Sequence, residues 1–334
     1  MLWVAVAAVS AIAVPLAVLV YLFGPGHEDV PERLLAAPLA EEAALQAEFK
    51  HEAGTILQPG NVRVYTQYYF PKTSSPKAVV VYFHGINAHG GRLTVMYEDM
   101  LRRGYIVGAL DFRGFGRSSG RLGFITDFAD YVFDALTFLE STRVKFPGQK
   151  VFVLGTSMGG LILLHTLLKA RPGLIDGSVL QAPPVLLAKG MRPPAFVEGF
   201  LRLAAKAVPK LPFMRPHGPR SNSKAVEKEV ERSKLADPLF YGGCLRLGTA
   251  LAIANALQHI QDNGHKIDAP FCLIHGEGDR VCAIEGSERF FPTAASKDKR
   301  FIKYPGGEHN VVQEPEEFVQ PFLDDVAAWI EARL

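Results

Sequence analysis

Three side chains in this sequence could together attack a carbonyl carbon: a serine, an acid and a histidine. The serine is Ser157, within Gly155-x-Ser157-x-Gly159. A hydroxyl is a poor nucleophile at neutral pH, so it needs a base within hydrogen-bond reach, and the base needs an orienting acid. Downstream, Asp279 lies in Gly276-Glu277-Gly278-Asp279-Arg280, and His309 lies in Pro305-Gly306-Gly307-Glu308-His309-Asn310. Serine, acid, histidine is one of the chain orders in which such a triad is built. Glu277 is the alternative acid. His275 is the alternative base, although it closes an apolar run, where a histidine more often serves the core.

The tetrahedral adduct also needs donors for its oxyanion. The run His84-Gly85-Ile86-Asn87 follows an apolar strand, and Gly85 lets the backbone turn inward so that the N–H of Ile86 can face the serine. The N–H of Met158 is the second candidate donor. His84 is another candidate base, but it precedes the serine and sits beside this loop, so it reads as architectural.

These residues act only if secondary structure brings them together. The run 151–154 (Val-Phe-Val-Leu) is a short apolar strand, and 161–169 has helical composition. The serine therefore sits on a strand–turn–helix, the context a nucleophile elbow requires. Strands are expected over 61–70, paired as a hairpin, and over 78–83, 105–110, 177–181, 271–275 and 301–304. Helices are expected over 41–50, 93–103, 128–145, 284–291 and 316–332. Asp279 and His309 then follow consecutive strands. Alternating strands and helices with near-continuous apolar strands imply a mostly parallel sheet covered on both faces. Between about 182 and 264 the rhythm stops. That stretch is rich in helix formers and prolines, shows no β-alternation, and reads as a helical lid over the C-terminal edge of the sheet.

The sequence resembles the α/β-hydrolase superfamily, and within it the monoacylglycerol lipase and lysophospholipase group, also known as serine aminopeptidase S33-type hydrolases. The resemblance rests on His84-Gly85, on Asp111-Phe112-Arg113-Gly114-Phe115-Gly116-Arg117-Ser118-Ser119-Gly120, and on the Gly155–Gly159 turn. Ala236-Asp237-Pro238-Leu239, Gly278-Asp279-Arg280-Val281-Cys282 and Gly306-Gly307-Glu308-His309 complete it. It covers residues 61–334. It implies an α/β-hydrolase fold and a serine esterase. Ser157 would be the nucleophile, Asp279 the orienting acid, His309 the base, and Ile86 and Met158 the oxyanion donors. No cofactor and no metal are implied. Cys282 falls where relatives carry a cysteine near the acid. Phe115 departs from the histidine many relatives have in that turn.

The expected activity is hydrolysis of a lipid carboxylic ester, a monoacylglycerol or lysophospholipid. The alternatives are an esterase, thioesterase or acyltransferase on another acyl compound, and a catalytically inactive binding protein on the same fold. Residues 196–211 suggest a basic amphipathic helix that either touches a membrane or packs on the core.

Leu2–Phe23 is uncharged and apolar apart from Ser10 and Pro15. At ~1.5 Å per residue it matches a ~30 Å hydrocarbon core. It reads as a single-pass transmembrane anchor that places the protein at a membrane. A cleaved signal peptide with secretion is the alternative. The division that follows is 1–23 anchor, 24–60 tether, 61–181 with 265–334 hydrolase core, and 182–264 cap. A net charge of +2 with mixed signs and no basic tract excludes an electrostatic nucleic-acid partner. The three cysteines form no CxxC, which argues against a disulfide framework or a zinc site. Oligomeric state has no signature in the sequence.

Overall fold

A computed structural model describes residues 2–26, 28, 30–186, 193–214, 228, 231–232, 234–312 and 316–334, with residues 2–12 and 316 described by backbone alone. One eight-stranded sheet organises the chain, in the order β1-β2-β4-β3-β5-β6-β9-β10. Its strands are β1 (Lys50–Gln58), β2 (Val62–Phe70), β3 (Val79–Phe83), β4 (Ile106–Leu110), β5 (Val151–Thr156), β6 (Gly177–Gln181), β9 (Phe271–Gly276) and β10 (Lys299–Tyr304). β2 pairs antiparallel with both β1 and β4, and every other pairing is parallel. This is the α/β-hydrolase architecture the sequence implied.

The strand compositions explain the order. β3, β4, β5 and β9 are buried along their whole length, as apolar strands covered on both faces must be. Alternate residues of β3 feed two cores: Val79, Val81 and Phe83 enter one, and Val80 and Tyr82 the other. The first core is closed by α4 (Phe128–Lys145), α5 (Met158–Leu167), α7 (Leu247–Asn263) and α8 (Ile284–Thr293). The second is closed by α2 (Ala40–Glu48), α3 (Thr94–Arg102) and α9 (Glu316–Glu331). Because β3, β5, β9 and β10 run parallel, the loops that follow them emerge along one edge of the sheet. Ile86, Ser157, Asp279 and His309 lie on these loops, and Met158 opens the helix that follows β5.

Three features differ from the expectation. First, the hairpin partner of β2 is β1, which lies in residues that carry no clear strand signal. Its pattern of exposure, with Lys50, Gly54 and Thr55 facing solvent, is that of an outer strand that never acquires an apolar run. Second, the insertion is not wholly helical. Beside α6 (Ala195–Ala207) and α7 it holds a two-stranded antiparallel pairing of β7 (Pro212–Met214) with β8 (Leu245–Arg246). Pro216 and Pro219 lie outside the described residues.

Third, the transmembrane anchor and the membrane localisation drawn from it are corrected. Among the described residues no helix is long and apolar enough to cross a membrane. The N-terminal helix α1 (Leu2–Phe23) has described side chains only from Ala13 onward. The C-terminal end of α1 joins the body of the protein. The Lys210 backbone N–H donates to the carbonyl of Phe23 at 3.0 Å, and Arg121 Nη1 donates to that of Leu22 at 2.9 Å.

Candidate active site

The turn between β5 and α5 is built by glycines. A Cβ on Gly155 would lie 2.5 Å from the carbonyl oxygen of Gly159, and one on Gly159 would lie 2.0 Å from that of Phe83. Only glycine therefore lets the start of α5 settle against the ends of β3 and β5. Between them Ser157 adopts φ 52° and ψ −119°, a left-handed conformation costly for a residue with a side chain. It is held there by the backbone: its N–H donates to the Gln181 carbonyl at 2.9 Å, and its own carbonyl accepts from Leu161 N–H at 3.1 Å. Helix α5 begins at Met158, three residues before the sequence pattern suggested. Gly159 and Gly160 sit inside its first turn for steric reasons that helix propensity does not register.

The loop after β9 brings Asp279 to His309, the residue on the loop after β10. His309 Nδ1 lies 2.7 Å from Asp279 Oδ2. The other carboxylate oxygen, Oδ1, accepts from the backbone N–H groups of Val281 (2.7 Å) and Cys282 (2.9 Å). Burial alone would raise the Asp279 pKa. Hydrogen bonds from His275 and His309, with the charge of His309, outweigh it and hold the carboxyl far below the usual carboxylate range. Asp279 is thus anionic at neutral pH, and its charge fixes the proton of His309 on Nδ1. Nε2 is left as the basic nitrogen. Glu277 is exposed, and it is Asp279 that reaches the imidazole.

The alternative bases have other employment. His275 is fully buried, and its Nε2 faces two acceptors, Asp279 Oδ2 and the Cys282 carbonyl, each at 3.0 Å. That nitrogen must carry the proton, and Nδ1 at 2.8 Å then accepts from the Ser287 hydroxyl. His275 therefore grips the acid. No local pattern points to this role, because the residue reads as a strand end. His84 is also fully buried. Its Nε2 accepts from Phe112 N–H at 2.9 Å, and its Nδ1 donates to the Gly85 carbonyl at 2.8 Å. Burial lowers its pKa to about 4, so it stays neutral and ties the loop after β3 to the loop after β4. Phe115 packs edge-on against the His84 ring, centroids 5.8 Å apart.

The loop after β3 lies against the serine: a Cβ on Gly85 would be 3.5 Å from Cβ of Ser157. Ile86 follows in that loop, packed on the first core. Met158 opens α5, where backbone N–H groups have no partner within the helix and the positive end of the dipole favours an anion. The loop is also held from the insertion. Asp237 accepts from His89 Nε2 at 3.0 Å and from Arg92, and the Tyr241 backbone N–H donates to the Asn87 carbonyl at 3.1 Å. Asp237 lies in the Ala-Asp-Pro-Leu run already noted in the sequence, but its partners lie on the far side of the chain.

Cys282 is buried, with its thiol beside Ser157. Burial and then the Asp279 charge push the thiol pKa far up, so it is neutral at physiological pH. These loops bring to one sheet edge an alcohol on a strained turn, an imidazole paired with a carboxylate, and the start of a helix.

Comparison with known proteins agrees. The hydrolase family described as serine aminopeptidase, S33, matches residues 74–316. A monoacylglycerol lipase of Mycolicibacterium smegmatis is 32% identical over 276 residues, 82% of this chain and 95% of that protein. A monoglyceride lipase of Homo sapiens is 30% identical over 266 residues, 79% of this chain and 86% of that protein. The crystal structure of a Paleococcus ferrophilus monoacylglycerol lipase superposes with a TM-score of 0.69 at 24% identity, covering 81% of this chain and 99% of that one. The chain belongs to the serine aminopeptidase S33 family of α/β-hydrolases, and it is a serine hydrolase that acts on carboxylic esters.

Proposed function

We propose that this hydrolase cleaves monoacylglycerols through an acyl-enzyme on Ser157. The observation that carries the reading is the 2.7 Å contact of His309 Nδ1 with buried Asp279, on loops that share a sheet edge with the Ser157 turn. Ser157 Oγ attacks the ester carbonyl as His309 Nε2 takes its proton. Asp279 holds the imidazolium. The N–H groups of Ile86 and Met158 receive the oxyanion. His309 returns the proton to the departing glycerol oxygen, and water then releases the fatty acid by the same route.

Two features support an apolar acyl substrate. The M. smegmatis and human relatives, each matched over most of their length, are named for monoacylglycerol or monoglyceride hydrolysis. The insertion also exposes Phe196, Phe200 and Leu203 on α6, a helix with no buried residue.

The test is hydrolysis by the purified protein and by Ser157→Ala. The panel holds a monoacylglycerol, lysophosphatidylcholine, a palmitoyl thioester and a short p-nitrophenyl ester. Preference for monoacylglycerol, lost in the variant, supports the reading. Activity confined to the short ester removes the lipid substrate and leaves the chemistry. Substantial turnover by Ser157→Ala removes the nucleophile.

A further inference from the structure

One side chain at the site, the Cys282 thiol, is not used by ester hydrolysis. Asp279, Cys282 and His309 each offer a ligand atom, and these atoms lie within 4.8 Å of one another. Among the described residues this is the one such group of three histidine, cysteine or acidic side chains. Two of them belong to the triad; the thiol does not. We propose that these three residues form an inhibitory site for a thiophilic divalent cation, zinc above all, which competes with the catalytic arrangement for His309.

The donor set selects the ion. One sulfur, one imidazole nitrogen and one carboxylate oxygen suit Zn²⁺, which accepts three protein ligands and leaves a fourth position for water. Magnesium and calcium want oxygen ligands and near-complete oxygen shells, which this group lacks. Zinc–ligand bonds of about 2.0–2.3 Å put the ligand atoms roughly 3.3–3.8 Å apart, so from the present separations, within 4.8 Å, an approach of up to about 1–1.5 Å closes the site. The loop that bears two ligands is fixed by the backbone donors of Val281 and Cys282 on Asp279 Oδ1. Asp279 and Cys282 are therefore presented together by one short turn, and His309 arrives from the neighbouring strand end.

The proton balance is simple. Zinc needs the thiolate, so the Cys282 S–H proton is released to solvent as the Zn–S bond forms. The Asp279 carboxylate is already anionic. If the metal takes His309 Nδ1, the proton shared there with Asp279 moves to Nε2. The nitrogen that should accept the Ser157 proton is then occupied. If it takes Nε2, the lone pair is lost directly. Either way the imidazole no longer works as a base, while the sheet and the insertion are untouched. The inhibition rests on the triad reading above; the binding does not.

The experiment separates the two. Ser157→Ala protein, which cannot turn over, is titrated with Co²⁺ as a spectroscopic stand-in for Zn²⁺. A thiolate-to-cobalt charge-transfer absorption is expected in the near ultraviolet, and it should vanish on adding Cys282→Ala. In the active protein, micromolar Zn²⁺ should lower ester hydrolysis at least tenfold, with recovery on adding EDTA. In Cys282→Ala the zinc concentration for half-inhibition should rise at least tenfold. Cys244→Ala, which alters the half-buried thiol in the insertion, should leave the absorption and the inhibition as they were. Should Cys282→Ala fail to fold by thermal melting, Cys282→Ser replaces it. No cobalt–thiolate band, or inhibition unaltered by removal of Cys282, overturns the proposal. A Cys282-dependent band in a protein that hydrolyses no ester keeps the metal site and overturns the triad reading instead.

Discussion

His89 Nε2 lies 3.0 Å from Asp237 Oδ2, a hydrogen bond that spans 148 residues of chain and joins the insertion to the loop after β3. The imidazole is fixed from its other side too, since Nδ1 accepts from Gly91 N–H at 3.1 Å. The ring thus directs Nε2 at a buried carboxylate. Arg92 supplies the countercharge.

Asp237→Ala should therefore do more than loosen the insertion. It removes the buried carboxylate that His89 and Arg92 share, and a loss of about 3–5 kcal/mol is expected when one member of such a group is removed. The same loop carries Ile86, so kcat should fall by about 10–100-fold while KM changes less. Thermal melting and steady-state kinetics on Asp237→Ala and Asp237→Asn check this. Unchanged kcat in both would show that the insertion does not steer the loop.

Gly159→Ala should be among the most damaging single methyl groups in the protein. Its Cβ would meet the Phe83 carbonyl oxygen, which is backbone and cannot swing aside. A loss of roughly 3 kcal/mol or more, or failure to fold, is expected. Gly199→Ala on α6 meets nothing within 4 Å and should raise stability by about 0.5–1 kcal/mol. Urea unfolding of the two variants side by side gives the comparison.

Asp279→Asn should remain folded and lose activity by about 10⁴-fold, because the amide can no longer hold the proton of His309 on Nδ1. Glu277→Gln, at an exposed position, should stay near the parent. The reverse ranking in a kcat/KM assay would move the acid to Glu277.

His165 sets part of the acid sensitivity. Burial holds its pKa down at about 4, with His259 and Lys169 adding repulsion against the hydrogen bond it makes to the Ala256 carbonyl. In the unfolded chain it protonates near pH 6.5, so as pH falls from about 6.5 to about 4 the unfolded state binds a proton that the folded state refuses. Stability is complete above that window and drops through it, by about 3 kcal/mol for this one residue. Buried His84 adds a decline of the same sign over the same range. In His165→Gln the slope of unfolding free energy against pH between 4.5 and 6.5 should shrink by up to about 1.4 kcal/mol per pH unit. A slope equal to the parent's would place the acid sensitivity elsewhere.

Much of this molecule is legible in the sequence because its central strands must be apolar on both faces. β3, β5 and β9 announce themselves as short runs of Val, Ile, Leu and Phe, and each ends within about two residues of where the pattern predicts. What escapes is whatever depends on neighbours distant in the chain. β1 shows no strand pattern because most of its residues are exposed. The grip of His275 on Asp279 and of Asp237 on His89 cannot be inferred from local spacing. The N-terminal apolar run misleads for the opposite reason. Its composition alone suggested a membrane span, whereas among the described residues no helix meets the length and apolarity required.

The backbone of Ser157, the proposed nucleophile, also bears on when activity can arise during folding. A residue at φ 52° and ψ −119° costs about 1–3 kcal/mol and persists only where its surroundings enforce it. Here the enforcers are Gln181 at the end of β6 and the close approach of Gly159 to Phe83 at the end of β3. A nascent chain that has made α5 but has not yet docked β3 and β6 beside β5 has no reason to hold the serine in that shape. Turnover should consequently be the last native property to return on refolding, trailing the recovery of helix signal, and it reports completion of the sheet more faithfully than any spectroscopic measure of secondary structure.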